Sequence, residues 1–516
     1  MEVEHDLVVV DEFDALSIEV KVPSASYKPP QKYPAKTHAR KVAKELGFYH
    51  GLIYLPGEKA REYEDSDQQV PFRQRKYFFY LSGANFPGCA VTYDIAKDWL
   101  TLWIPHNEPV LALWYGTTPT VEECKAKYDV DDVKYVSKLE KYICAVPPTT
   151  IMYILKPEHG PPKRERPCRG PLHLDTYKLR KAMDAARVVK TDYEVAMIRR
   201  ATDLSSAAHR AVLERLRGMK NEGEIEAAFR GSCLAQGAKM EAYPVIAGSG
   251  PNAAALHYSA NDESLEGRQL VVLDAAYEWA GYASDITRTF PVSGRFTPEA
   301  RAVYDVVDRM QRECVSRITP GVLFYDLTRR AHLVAAEGLL ALGIFRGGGT
   351  PEEIVANGTT AAFFPHGLGH HVGLEVHDVS GPGKLDVGAA RLLEEGARGG
   401  AAGKRAPVTP EMLARAFREG AGGRVAPAVE ERQRLAKNMI VTVEPGIYFF
   451  RPYVEGLFLN SPVHAKYIDK DVLEKFYPVG GVRIEDDILV TEDGYENLTT
   501  APKGEEALKI INGSGR

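Results

Sequence analysis

The stretch that decides the reading is LVVLDAAYEWAGYASDITRTF, residues 270–290. Four consecutive apolar residues, Leu270 to Leu273, predict a buried strand, and Asp274 closes it. A lone carboxylate in such a place is costly to bury without a partner. Asp285 lies eleven residues on, past Trp279-Ala280-Gly281, where the chain can turn. A hairpin of that length sets the two carboxylates side by side. Taken singly, the better reading is one aspartate capping a turn and the other on a solvated face, so the rest of the chain decides.

Three further segments carry chemistry. FFPHGLGHHVGLEVHDV, residues 363–379, holds His366, His370, His371 and His377, four of the fourteen histidines. Gly367, Gly369 and Gly373 allow close backbone approach around them, and the flanking Phe363, Phe364 and Pro365 point to the wall of a site. In NMIVTVEPGIYF, Glu444 ends an apolar strand, and Pro445 holds it extended. In GGVRIEDDILVT, alternation places Arg483 and Glu485 on one face and Val482 and Ile484 on the other. Four carboxylates and an imidazole form an oxygen-rich set suited to Mn²⁺, Co²⁺, Fe²⁺ or Zn²⁺. Five ligands exceed the three that one catalytic zinc takes, but two ions sharing bridging carboxylates would use them all.

Composition narrows the class. A chain of 516 residues exceeds one ordinary core, and two domains are expected. The net charge of -5 shows no basic excess, so nucleic acid is not a favoured partner. The acidic N-terminus does not read as a secretory signal, and no stretch approaches the roughly 20 apolar residues that span a bilayer. Six cysteines without a CxxC pair read as reduced thiols of a cytoplasmic protein.

The expected fold class is α/β (α+β): an N-terminal mixed domain followed by a catalytic domain. Residues 1–35 read as an irregular leader. Within 36–155, Ala39 to Leu46 reads as a helix. Phe78 to Leu81, Ala90 to Tyr93, Leu100 to Ile104 and Val110 to Trp114 read as strands. The Pro- and charge-rich Lys156 to Pro171 opens a linker, 156–180. The second domain, 181–512, contains three predicted helices. The first follows the Thr191/Glu194 capping box and ends at Gly218. The second starts at Thr297-Pro298, and the third covers Tyr325 to Leu342. Strand pairs are Leu270 to Tyr277 with Ala283 to Phe290, and Ile440 to Val443 with Val482 to Val490. Residues 382–432, rich in Ala, Gly and Arg, read as a surface insertion with a short helix at Met412 to Phe417.

These motifs, in this order, resemble the M24 "pita-bread" metallopeptidases. ASDITRTFP and PHGLGHHVGLEVHD resemble the proline-specific branch of aminopeptidase P and prolidase. The resemblance covers about 180–500, and YFFYLSGANFPGCAV carries it into the N-terminal domain. It implies a pita-bread catalytic domain with two divalent ions per subunit, manganese first. It implies that Asp274 chelates one ion, that Asp285 and Glu485 bridge both, and that His370 and Glu444 complete the second. His257, in NAAALHYSAN, would contact the scissile carbonyl. His377 would be a substrate contact or proton shuttle, with His366 nearby. Glu444 would move the proton, Arg483 would orient the ligands, and Tyr243 would line the pocket. His371 is expected to pack. The implied substrate is a peptide with proline second, and the implied assembly a homodimer. A prolidase restricted to dipeptides is the alternative, since Arg432 and Arg434 stand near the place of its carboxylate clamp. A pita-bread binding module without catalysis is disfavoured because all five ligands are present.

Overall fold

The structure, a computed structural model, describes residues 32–161, 170–381, 383, 385 and 432–513. Most of the proposed insertion, its short helix and most of the leader therefore fall outside the described residues.

The N-terminal unit is built on a six-stranded mixed sheet. Its strands are β1 (Leu52–Pro56), β2 (Ala90–Asp94), β3 (Trp99–Ile104), β4 (Asp132–Tyr135), β5 (Ile151–Tyr153) and β6 (His173–Asp175), in the order β4-β3-β2-β1-β5-β6. Alternation explains its two buried faces. Leu52, Tyr54 and Trp103 pack on Leu139 and Ile143. Ile53, Leu55, Val91 and Leu102 face helices Ala35–Leu46, Lys76–Ser82 and Lys178–Val188. The second cluster continues into Tyr282, Val372 and Ile440, so this face of the sheet is welded to the catalytic unit.

Three expectations are corrected here. Phe78 to Leu81 lies in helix Lys76–Ser82, not a strand; the helix is buried all round, which erases the polar face that periodicity relies on. Val110 to Trp114 lies in helix Pro109–Tyr115, started by proline and followed by Gly116. The stretch read as a linker contains β6, which pairs parallel with β5. The cysteines also differ. Cys89, Cys124, Cys233 and Cys314 are free and sealed in the core, whereas Cys144 is disulfide-bonded. It is half-buried near the end of helix Leu139–Ala145.

The catalytic unit has small antiparallel sheets backed by two helix pairs. β7 (Ile246–Ser249), β8 (Leu270–Asp274) and β9 (Thr287–Pro291) pack on helices Asp192–Arg215 and Glu222–Ala235. β10 (Ile440–Val443), β11 (Gly446–Tyr448), β12 (Gly481–Arg483) and β13 (Asp486–Val490) pack mainly on helices Pro298–Val315 and Phe324–Ala341, and β14 (Tyr495–Asn497) is an exposed strand beside β13. Both predicted N-caps are made: Thr191 accepts from the Glu194 amide in a full capping box, and Thr297 from that of Ala300. No helix among the described residues is long and apolar enough to cross a membrane.

Candidate metal centre

Register places the acids. Asp274 pairs with Thr287 across β8 and β9. Thr287 pairs on its other side with Glu485 through an isolated antiparallel bridge. Val443 opposes Asp486, and Gly446 opposes Arg483; this is the same antiparallel register on either side of a gap, so Glu444 falls opposite Glu485. The Thr442 amide donates to the His370 carbonyl and the Glu444 amide to that of Leu368, which adds the histidine segment as the next strand-like neighbour. Directly opposed residues point to the same face, as do residues two apart. Asp274, Thr287, Glu485 and Glu444 therefore form one cross-strand row, with Asp285, Arg483 and His370 on the same face.

Side-chain contacts follow from this layout. Ligand atoms of Asp274, Asp285 and Glu485 lie within 4.8 Å of one another, as do those of His370, Glu444 and Glu485, and those of Asp285, His370 and His377. His370 Nε2 stands 3.3 Å from Asp285 Oδ2 and 3.4 Å from Glu444 Oε1. Its Nδ1 meets the His371 carbonyl at 3.1 Å, which makes Nδ1 the protonated nitrogen and frees the Nε2 lone pair for the acids. Gly369 is required at this crossing: a Cβ there would meet the Thr442 carbonyl oxygen at 2.1 Å.

Arg483 is the hub. It donates to Asp274 Oδ2 at 2.5 Å, Thr287 Oγ1 at 3.0 Å and the Tyr448 hydroxyl at 2.9 Å. Thr287 Oγ1 in turn donates to Glu485 Oε2 at 2.6 Å. Tyr448 meets His366 Nε2 at 2.8 Å, and His366 Nδ1 faces the Gly367 carbonyl. Burial, then the Arg483 charge, pushes the His366 imidazole down to about 3, which keeps it neutral. Burial, then the charge of neighbouring acids, raises the carboxyls of Asp285, Glu444 and Glu485 well above their ordinary range. The same causes raise the Tyr243 phenol, which feels Asp274, Asp285 and Glu485. Asp274 Oδ1 is buried without a protein partner. A crowd of desolvated oxygens, one of them unpaired, fits divalent cations.

His257 and His377 are exposed at the rim, and the His257 charge is felt at both His366 and His377. The loop carrying His257 is fastened by buried Glu222. That carboxylate accepts from the Ser249 amide and hydroxyl, Asn252 Nδ2, the Tyr258 hydroxyl and the Glu263 amide. His371 turns away to Gln433, as a packing residue does. The described contacts of Arg432 and Arg434 also lie elsewhere: Arg432 stacks on Tyr325, and Arg434 donates to the Gly321 carbonyl. Sequence reasoning missed Thr287, Tyr448, Thr442 and Asp487, which accepts from the Asp285 amide. Counting by two from Asp285 and Glu444 would have found the first three.

Small antiparallel sheets bearing such a row, set beside an N-terminal α/β unit, are the build of a metal-dependent hydrolase. The family model described as Metallopeptidase family M24 matches residues 196–492, and that of the aminopeptidase P N-terminal domain matches 36–149. The chain belongs to metallopeptidase family M24. It is 55% identical over 527 residues to a probable Xaa-Pro aminopeptidase of Colletotrichum graminicola, covering 99% of both chains. It is 54% identical to another from Metarhizium acridum, again over 99% of each. Among solved structures, Zn-substituted E. coli aminopeptidase P in complex with product superposes with a TM-score of 0.72 at 24% identity, over 94% of this chain and 100% of that one. The same E. coli enzyme with the inhibitor Pro-Leu gives 0.71 at 23%. At that identity the likeness speaks to the fold: the expected two-unit architecture with a pita-bread catalytic half.

Proposed function

We infer that this chain is an Xaa-Pro aminopeptidase, which removes the N-terminal residue from peptides whose second residue is proline. The observation that carries the reading is the row of acids joined by His370 on one sheet face. Full-length kinship to proteins named for that activity fixes the substrate class.

Asp274, Asp285, His370, Glu444 and Glu485 would hold two divalent ions. When bound, such a pair lowers the pKa of water and polarises the scissile carbonyl. The protein's own groups do the rest. Arg483 fixes Asp274 directly and Glu485 through Thr287, so these two ligands move as one body. Glu444, part-exposed beside His370, takes up the proton of the attacking water and delivers it to the leaving nitrogen. His257 donates to the carbonyl oxygen as negative charge develops on it, and His377 lies beside the ligand ring of His370, 4.3 Å between centroids, to contact the substrate. Tyr243 walls the pocket. The peptide's amine lies near Asp274. Proline matters because its imide nitrogen has no hydrogen: a site that never calls on that N–H loses nothing by its absence.

Manganese is the first ion to supply. Cleavage of longer peptides, not only dipeptides, is supported by Arg432 and Arg434, neither of which has a described contact with the acid row. A homodimer is supported by helix Pro109–Tyr115, which buries no residue and exposes Val110, Leu111, Leu113 and Trp114. A cytoplasmic location is supported by four free buried thiols; the Cys144 disulfide argues the other way. The test is hydrolysis of Ala-Pro-Ala and Ala-Pro by metal-stripped protein resupplied with Mn²⁺, alongside Asp285→Ala. Release of alanine from the tripeptide, lost in the variant, supports the reading. Cleavage of the dipeptide alone would make the chain a prolidase, and no cleavage with metal bound would remove the substrate assignment.

A further inference from the structure

The cross-strand row has a defect built into it. Pro445 follows Glu444 directly, and in the shared register it lies opposite Ile484, next to Glu485. The Ile484 amide donates to the Pro445 carbonyl at 3.3 Å. The reciprocal bond, which a regular antiparallel pair would complete, cannot form because proline has no N–H. The Ile484 carbonyl is therefore deprived of its ladder donor in a buried place, between the positions of two metal-site glutamates. An unpaired carbonyl there would be free to tilt, carrying Glu485 with it.

Gln311 fills the gap. It lies on helix Pro298–Val315, 1% exposed, and its Nε2 reaches the Ile484 carbonyl at 3.3 Å and the Val443 carbonyl at 3.2 Å. These two carbonyls belong to the residues immediately before Glu485 and Glu444. The orientation of the amide is fixed from behind: Lys503 Nζ donates to Gln311 Oε1 at 2.6 Å and to Asp486 Oδ2 at 2.8 Å. Lysine only donates, so the atom facing it must be the amide oxygen and the atom facing the carbonyls the NH₂. One NH₂ thus holds both strand breaks, and one lysine holds the NH₂.

We propose that Gln311, oriented by Lys503, is a positioning residue that supplies the hydrogen-bond donor Pro445 removes and so sets the spacing between Glu444 and Glu485. The inference rests on the metal-site reading above. It explains how an extended proline can stand beside a ligand without loosening the ladder, and why an amide is buried in an otherwise apolar helix face among Val307, Met310 and Cys314.

The test is a cycle read by calorimetric titration of metal-free protein with Mn²⁺. Gln311→Met keeps the side chain's length and removes the donor. It is expected to weaken ion binding about tenfold or more, with folding checked by circular dichroism. In a Pro445→Ala background the backbone N–H is restored, and the same Gln311→Met change should then cost at least threefold less. A loss equally large in both backgrounds would overturn the proposal, because a merely structural glutamine would not care whether residue 445 carries an N–H. Unchanged affinity in Gln311→Met would also overturn it. If Gln311→Met does not fold, Lys503→Met, which frees the amide to rotate, takes its place in the cycle with the same expected pattern and the same refuting one. A wild type that binds no Mn²⁺ would remove the site reading and this inference together.

Discussion

Asp378→Asn probes how the histidine segment is held against the rest of the molecule. Asp378 follows His377, and its carboxylate is sealed from solvent. Oδ1 accepts from Arg187 Nη2 at 2.5 Å and Oδ2 from Lys190 Nζ at 3.3 Å, and both cations are 2% exposed. Arg187 ends helix Lys178–Val188 and lies over the Tyr77 ring of helix Lys76–Ser82, at 4.8 Å. One carboxylate therefore ties the segment bearing His370 and His377 to the seam with the N-terminal unit. Removing its charge leaves two buried cations facing a neutral amide, and breaking a buried ion pair costs about 3–5 kcal/mol. Lys190 can relieve part of that by shedding its proton, since burial already lowers its pKa, whereas Arg187 cannot. A loss near ~3 kcal/mol is therefore expected. The pH dependence has a definite sign. Burial alone would raise the Asp378 carboxyl, but the Arg187 and Lys190 charges outweigh it and hold the carboxyl below its ordinary value. Its contribution is thus present above the unfolded-state pKa of about 3.9 and fades as pH falls through the lower folded value. Urea unfolding of the metal-loaded proteins, followed by tryptophan fluorescence, should show the deficit in full at pH 7 and a narrowing gap below about pH 4. A deficit under about 1 kcal/mol at pH 7, or one that does not change with pH, would refute the clamp.

Two further outcomes are expected. Glu222→Gln, at the anchor of the His257 loop, replaces one oxygen of a buried acceptor by a donor that faces either the three donors at Oε1 or the two at Oε2. It should lower kcat toward Ala-Pro-Ala roughly 10- to 100-fold, the equivalent of about 1.5–3 kcal/mol, with Mn²⁺ content unchanged by elemental analysis; full activity would show that the loop does not need the anchor. Stripping the metal should lower the melting temperature more at pH 8 than at pH 5.5. Asp285, Glu444 and Glu485 have folded-state pKa values raised by burial and by one another, so the metal-free fold binds more protons than the unfolded chain and loses stability as pH rises toward those values. A metal-free protein that melts higher at pH 8 than at pH 5.5 would contradict this.

How much of this was legible in the sequence depends on what each signal measures. The capping box at Thr191 and the Thr297-Pro298 start are local chemistry, and both helices begin where those residues say. β2, β3 and β10 sit within a residue of the apolar runs that announced them, whereas β8 stops at Asp274, three residues short of the expected Tyr277. The two misread helices failed for opposite reasons. Lys76–Ser82 is buried on every side and shows no polar stripe, while Pro109–Tyr115 buries nothing, so its apolar residues report neither period nor core. In the site, Asp274 and Asp285 are near each other, but as diagonal neighbours: Asp274 opposes Thr287, not Asp285. Their expected side-by-side pairing came from counting hairpin length. The offset arises because residues 275–286 form more than a tight turn, with Ala280 and Gly281 both at positive φ and a bridge between Trp279 and Tyr282. Gln311, Lys503 and Glu222 left no local signal at all, because each is defined by a carbonyl or loop distant in sequence.

The row itself argues why the site must behave as one unit. Neighbouring strands stand about 4.8 Å apart, and directly opposed side chains start from Cβ atoms about 4.5–5.5 Å apart. Placing carboxylates on consecutive strands of one face therefore fixes their spacing without any side chain having to reach. The same spacing makes mutual repulsion unavoidable, since like charges directly opposed destabilise a sheet. That conflict is visible where it should be. Glu444 and Glu485 sit opposite each other in the two-residue gaps between β10 and β11 and between β12 and β13, where the β10–β13 and β11–β12 ladders break off, and regular pairing lies on both sides in unchanged register. Thr287, a neutral hydroxyl, stands where an unbroken run of acids would otherwise continue, separating Asp274 from Glu485 while bonding the latter. Arg483, two residues from Glu485 on the same face, offsets part of the remaining charge. What is left uncompensated is centred on Asp285, Glu444 and Glu485, each with its carboxyl pushed upward. The geometry that would bind cations well is thus the geometry that makes the metal-free sheet weakest at the same place, and local opening of the metal-free protein should begin at residues 444–445 and 484–485 rather than in the helices behind them.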